Sequence, residues 1–168
     1  MLSGQENFSS TDASQLHSSL NNVDNWTVLT LPGTGDEYLT DMVSDPASRM
    51  WGTVSGGGLV RFSKFGMARV QFLFDVEGNA VELDPTCVGV GISNGKAWIA
   101  STKRVFKCDY NFRKAEVWDY ATSGNVFGKA PDQNFVDGKF IQSLKVLVNG
   151  DIWLALFGHG LAYGTNVN

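Results

Sequence analysis

Apolar and polar residues alternate in short runs along most of this chain, and turn-forming residues close each run. Alternation with period two puts successive side chains on opposite faces of a strand. The first such run is WTVLTL, positions 26–31, rich in β-branched residues and closed by Pro32-Gly33-Thr34-Gly35. A fixed series of runs then returns. The first pass reads YLTDMV, the turn SDPASR, MWGTV, Gly56-Gly57-Gly58, LVRFSK and, after a short break, RVQFLFDV. The second reads TCVGVGI, the turn Ser93-Asn94-Gly95, KAWIAS, Thr102-Lys103, RVFKCD, the break YNFRK and AEVWDY. The third reads FIQSLKVLV, the turn Asn149-Gly150, DIWLALF, Gly158-His159-Gly160 and LAYGTN.

Each pass is a strand, a tight turn, a Trp-bearing strand, a second turn and a third strand. The first two passes supply a fourth. Asn-Gly between alternating strands predicts a type I′ hairpin with positive φ at both central residues. It stands at the same phase in Asn94-Gly95 and Asn149-Gly150. Trp98 follows Trp51 by 47 residues and Trp153 follows Trp98 by 55, the surplus falling in the inserted loop ATSGNVFGKAPDQNFVDG. Periods of about 40–50 residues with four strands per unit predict propeller blades. The expected fold class is all-β: propeller-like repeats of four-stranded antiparallel sheets, about three blades per chain. Residues 25–168 make the repeat domain. Residues 1–24, rich in Ser, Asn and Gln, make a polar N-terminal arm that is either flexible or orders on a partner.

Trp26 precedes Trp51 by 25 residues and Phe72 precedes Trp98 by 26, so WTVLTL falls at the phase of a fourth strand. It would complete the third sheet by strand exchange through Trp26, Val28 and Leu29. Three blades are too few for an ordinary ring, which has about four to eight. Two chains could share one ring, each lending WTVLTL to the other. A different protein could cover the exposed faces instead. Or the chain is a fragment of a longer propeller, which the Met start and the weak ending GTNVN argue against. Open sheet edges invite pairing, so an obligate assembly is expected, homo-oligomeric or within a larger complex.

Trp51-Gly52-Thr53 followed by Gly57-Gly58-Leu59-Val60-Arg61-Phe62 resembles the repeat of two-component-regulator propellers. That repeat carries Trp-x-Gly-Thr on its second strand, then a Gly-Gly-Leu turn and a third strand. Trp98-Ile99-Ala100-Ser101 with Val105-Phe106 is similar but lacks the glycines. Asn149-Gly150-Asp151-Ile152-Trp153 with Gly160-Leu161-Ala162-Tyr163 keeps the turn and the Gly-Leu. The resemblance spans residues 26–168 and implies a sensor or scaffold propeller. Its motifs fix no functional residue.

Composition narrows the partners. Lys and Arg number 13 against 17 Asp and Glu, net charge −4, with no basic patch. Nucleic-acid binding through phosphate neutralisation is therefore not expected. Hydrophobic residues make up 43% and charged residues 18% of the chain, and its 168 residues are enough for a real core. No apolar run approaches the roughly 18 residues of a membrane span. The N-terminus lacks the cationic start and apolar core of a secretory signal, so a cytoplasmic or particle-borne protein is expected. Cys87 and Cys108 read as buried, inert thiols and leave the redox compartment open.

Catalytic chemistry is sparse. His17 lies in the arm and His159 between glycines, and no nucleophile elbow, zincin or Walker motif is present. Carboxylates are the only acid–base supply: Asp36, Glu37 and Asp41, then Asp75, Glu77, Glu82 and Asp84. A glycosidase or lyase would need two of them to converge. DVEGNAVELD imitates a calcium loop, but its Gly comes fourth where the loop needs it sixth, so it reads as a solvated turn. Trp51, Trp98 and Trp153 are expected between neighbouring sheets with their indole N–H on backbone acceptors. Gly57, Gly58 and Gly160 read as structural repeat positions. Phe112, Trp118 and Tyr120, near Asn111 and Asp119, are the candidate ligand platform, with packing as the competing use. The function expected is a non-catalytic structural or interaction module, such as a phage virion component, needing no cofactor or metal. A carbohydrate-binding propeller lectin and a cytosolic sensor or scaffold are the alternatives.

Overall fold

The computed structural model describes residues 31, 37–63, 66–119, 141–157 and 160–164. They contain thirteen strands in four antiparallel sheets and no helix. β1 (Leu39–Ser44), β2 (Met50–Val54), β3 (Leu59–Ser63) and β4 (Gly66–Val70) form the first sheet in simple up-and-down order. β5 (Phe72–Phe74) and β6 (Ala80–Glu82) form a separate hairpin. The second sheet runs β7 (Cys87–Ser93), β8 (Lys96–Ser101), β9 (Arg104–Asp109), β10 (Glu116–Asp119). The third has three strands, β11 (Ile141–Val146), β12 (Ile152–Leu156) and β13 (Gly160–Gly164).

The three larger sheets repeat in register. Val43 lies opposite Trp51, and Trp51 opposite Arg61. Gly91, Trp98 and Lys107 hold the same slots in the second sheet, and Lys145, Trp153 and Tyr163 in the third. Even the irregularity repeats: a register shift breaks the first strand of each sheet, at Leu39/Asp41, Cys87/Gly89 and Ile141/Ser143. Bulges of this kind bend a strand and raise its local twist.

We call the face carrying the tryptophan the front. The front of the first sheet packs on the back of the second. Trp51 and Leu59 share a core there with Val90, Ile99, Phe106 and Cys108, closed at one end by Leu73 and Leu83 around the small hairpin. The front of the second sheet packs on the back of the third, where Trp98, Ala100 and Val105 meet Leu144, Ile152, Leu154 and Ala162. Both faces of the second sheet are thus buried, and β8 accordingly reads as a continuous apolar run, Ala97 to Ala100.

The sheets come closest at their first strands. Thr40 Oγ1 donates to the Cys87 carbonyl at 2.9 Å, and the Val90 N–H donates to Asp41 Oδ2 at 3.0 Å. Gly89 and Gly91 lie directly against Leu144 and Val146. Farther out the gap widens and large rings fill it. Trp51 meets Tyr110 and Phe112 at centroid distances of 5.7 and 5.3 Å, and Trp98 stacks on Trp118 at 5.6 Å.

Four turns share one design. Residues 45–49, 75–79, 109–113 and 147–151 each close a five-residue loop, the first residue's N–H donating to the fifth residue's carbonyl. The fourth residue is left-handed in each: Ser48, Gly78, Phe112 and Gly150, with φ of 60°, 89°, 63° and 89°. In three of them an aspartate at the first place accepts the backbone N–H of the fifth. Its side chain fixes the loop where no glycine marks it.

Three expectations need correction. Asn94-Gly95 has positive φ at both residues, but at Asn149-Gly150 only Gly150 does. Asn149 instead sits inside the five-residue loop, its Oδ1 accepting the Asp151 N–H. RVQFLFDV is not one strand. It breaks at Gln71, and Phe72–Phe74 pairs with Ala80–Glu82 around the loop that reads as DVEGN. Phe72 therefore does not belong to the fourth strand, and the phase that aligned WTVLTL with it loses its anchor. Trp153, expected between sheets, is solvent-exposed on its front face. The polar arm 1–24, the exchange residues Trp26, Val28 and Leu29, and Tyr120 lie outside the described residues.

Candidate interaction surface

The carboxylates singled out from the sequence are committed to structure. Glu37 makes a two-pronged ion pair with Arg69, 2.6 and 2.7 Å, which holds its carboxyl below the ordinary value. Asp41 accepts from Met42 and Val90. Asp75 receives the Asn79 side-chain amide at 2.9 Å and the Asn79 N–H at 2.7 Å; these bonds hold its carboxyl low. Asp84 receives Ser101 Oγ and the Arg104 guanidinium. Burial pushes the Asp84 carboxyl up, and Arg104 and Ser101 outweigh it. Asp36 lies outside the described residues.

Sequence reasoning missed Asp45. It is buried, takes the Trp51 indole N–H at 2.9 Å and Arg49 Nε at 2.6 Å, and accepts two backbone N–H groups of its own turn. The Trp51 acceptor is therefore a carboxylate, not a backbone carbonyl. Burial raises the Asp45 carboxyl, but the bonds from Trp51 and Arg49 prevail and leave it below its ordinary value. A buried carboxylate survives only with such a set of donors.

Two cation–aromatic boxes stand between the sheets. Arg61 lies over Phe112 at 4.6 Å and Trp51 at 5.5 Å, and its Nη1 donates to the Tyr110 carbonyl across the gap. Lys107, only 5% exposed, lies 5.3 Å from Trp98 and 5.4 Å from Trp118, with Nζ 2.9 Å from Glu116. Phe112 and Trp118 are half-buried, each with its ring against this packing. Gly57 and Gly58 are both left-handed, and a Cβ on Gly58 would sit 2.8 Å from the Val70 carbonyl oxygen, so the turn before β3 requires glycine. Gly160 opens β13, also left-handed.

The third sheet repeats the slots without the cover. Trp153 and Tyr163 face each other at 4.5 Å; Leu161, two residues from Tyr163 along β13, is 67% exposed, and Phe157, at the end of β12, is 66% exposed. The Tyr163 hydroxyl donates to Asp151 Oδ2 at 2.8 Å, and that bond raises the phenol above its ordinary value. Asn149 Nδ2 donates to the same oxygen at 2.6 Å. Lys145 is exposed on the other side of Trp153. The result is an apolar patch with a polar rim on one sheet face, the make-up of an interaction surface.

Both cysteines are buried; burial pushes the Cys87 thiol up to about 11 and the Cys108 thiol to about 12. Among the described residues no group of three or more His, Cys, Asp or Glu could hold a metal ion, and no helix is long and apolar enough to cross a membrane.

No protein-family model and no curated protein matches the chain. Among solved structures it is similar to the extracellular domain of BT4673 from B. thetaiotaomicron, described once as a hybrid two-component system and once as a one-component system. The first has 10% identity and a TM-score of 0.38 over 80% of this chain and 21% of that one. The second has 16% identity and a TM-score of 0.32 over 78% and 24%. The chain thus spans less than a quarter of the length of either, and at these TM-scores the likeness assigns neither fold family nor activity.

Proposed function

We propose that this chain is a non-catalytic interaction module, a stack of propeller-like blades that a protein partner completes, serving as a component of a larger assembly such as a phage virion. One observation carries this reading: the front face of the third sheet is apolar and exposed where the same face of the other two sheets is covered. The repeated bulges, the close first strands and the widening outer gaps are what blades radiating from an axis require. Among the described residues β13 also has no strand beyond it where the other two sheets have a fourth, and edges are seldom left bare. The partner reading includes strand exchange through Trp26, Val28 and Leu29.

The test is to tag the chain in its natural source and measure the mass with which it travels. The reading requires a particle well above 18.3 kDa, from which Leu161→Glu is released although its circular dichroism is unchanged. Recovery of the chain only at its own mass refutes it.

A lectin reading has one observation in its favour. Trp153 and Tyr163 offer adjacent exposed rings beside Asp151, an arrangement that can stack on sugars. A propeller lectin would present such rings at every junction, and Trp51 and Trp98 are buried, so assembly stands first. A glycan array read with wild type and Trp153→Ala decides: loss of a wild-type signal in the variant supports the lectin, and no signal from either removes it. The sensor or scaffold reading shares the surface and differs only in the partner.

A further inference from the structure

We infer that the front of the third sheet is the docking site for a second copy of this chain, which seats the back of its own first sheet there. The inference rests on the assembly reading and adds the occupant. Within the chain every joint follows one rule. The first front receives the second back, and the second front receives the third back. Among the described residues two surfaces are left over: the third front, and the part of the first back around Met42, Met50, Phe62 and Met67, beside Val54 and Val60, which are already buried. They are the two halves of the joint the chain has already made twice.

The slots show it residue by residue. Trp153 is 36% exposed where Trp51 and Trp98 are 0% and 4%. Leu161 is 67% exposed where its counterparts Leu59 and Val105 are both 0%. Ser143 occupies the slot from which Asp41 reaches the Val90 N–H of the next sheet. On the other leftover face, Met42 is 53% exposed where its counterparts Val90 and Leu144 are both 4%. Met50, Phe62 and Met67 lie half-exposed beside it, and methionines adapt readily to an incoming surface. The match holds at the Met42 slot and fails at Val60, the counterpart of Phe106 and Ala162, which is 1% exposed, so the joint would form over the Met42–Met50–Phe62 part of the back. Because front and back differ, the joint is head-to-tail, and such joints close into a ring when the rotation allows. Two copies make the smallest ring.

The experiment measures the mass of the purified 168-residue chain by sedimentation across the micromolar range, with Leu161→Glu, Met42→Glu and their mixture. The wild type is expected as a dimer. Each variant alone weakens self-association by roughly tenfold or more, while its circular dichroism and melting temperature stay those of the wild type. Mixing the two variants restores a two-chain species, because the intact front of Met42→Glu meets the intact back of Leu161→Glu. Sensitivity to Leu161→Glu but not Met42→Glu means a front-to-front contact and overturns the proposal. So does failure of the mixture to recombine. A monomeric wild type overturns it too, while the assembly reading survives if the tagged chain still travels in a larger particle; if both fail, both fall.

Discussion

Gly89 and Gly91 set the closest approach between two sheets, and adding one carbon atom tests that approach. A Cβ on Gly91 would overlap Val146 Cγ2 and lie 2.7 Å from Val146 Cβ. A Cβ on Gly89 would lie 2.8 Å from Leu144 Cβ and 2.9 Å from the Leu144 backbone nitrogen. Neither glycine is left-handed, so alanine meets no backbone penalty and would gain about 0.5–1 kcal/mol over glycine in an open strand. Overpacking costs about 1–3 kcal/mol and weighs most where the neighbour is backbone and cannot rotate away. The net expectation is a loss of roughly 1 kcal/mol for Gly91→Ala and roughly 2 kcal/mol for Gly89→Ala. For a domain of this size each kcal/mol lowers the melting temperature by about 2–4 °C. Val146→Gly should recover most of the Gly91→Ala loss in a double-mutant cycle, since that clash is with side-chain atoms. Leu144→Gly should not rescue Gly89→Ala, since the Leu144 nitrogen remains. Thermal unfolding followed by near-ultraviolet circular dichroism reads both. A melting temperature that is unchanged or raised in both alanine variants would refute the stacking of the second front on the third back.

Asp45 and Asp84 both titrate below their ordinary value of 3.8, so their stabilising contribution is complete above that pH. It drains away as pH falls through the lower folded values; Asp45→Asn should lower stability at neutral pH and flatten the acid limb of a urea-denaturation series. An acid limb as steep as the wild type's would contradict this. Lys107→Met keeps the volume, gives up the cation–aromatic contacts and removes a buried charge, so opposing effects should leave stability within about 1 kcal/mol. Lys107→Glu, which puts a negative charge in the same box, should unfold the domain at moderate temperature, as tryptophan fluorescence would report. The thiols of Cys87 and Cys108, pushed up to about 11 and 12, should resist a thiol-exchange reagent at pH 8 until urea exposes them. Rapid labelling of the native protein would show that the first core opens freely.

The three strand–turn–strand units were legible because period-two alternation and a recurring tryptophan are properties of single short segments. Their stacking was half legible. Ala97-Trp98-Ile99-Ala100 has no polar member, which marks a strand buried on both faces, but nothing in the residues says which neighbour covers which face. The turns were placed correctly, but their geometry was not legible where a side chain does the work of glycine. Asp45-Pro46-Ala47-Ser48-Arg49 and Asp109-Tyr110-Asn111-Phe112-Arg113 place Ser48 and Phe112 in the left-handed region, and only the leading aspartate betrays the loop. The burial of Lys107 was not legible in RVFKCD, because it depends on Trp118 from a strand that the local pattern does not connect to it. Trp153 shared its motif with Trp51 and Trp98, yet exposure belongs to the end of the stack, a property of the whole arrangement.

The end slot is also built differently in a way that bears on its use. In the first two sheets the residue beside the tryptophan is a cation, Arg61 or Lys107. Each pairs with a group from a neighbouring segment, the Tyr110 carbonyl in the turn of the next sheet for one and Glu116 on the neighbouring strand for the other. Stripped of those partners, a cation on an apolar face keeps its hydration and resists docking. The third sheet has Tyr163 instead, and its hydroxyl is already satisfied by Asp151 of the same sheet. The ring can therefore lie in water, or be covered, without leaving a donor unpaired in either state. A face of this kind suits a joint that forms between separate molecules, since the covered state demands no new hydrogen bond and the open state exposes only a modest apolar area. Tyr163→Lys would return the internal chemistry to the terminal slot. It should leave the fold intact and weaken assembly, read by sedimentation, because a hydrated ammonium on the terminal face must be dehydrated when an apolar surface covers it.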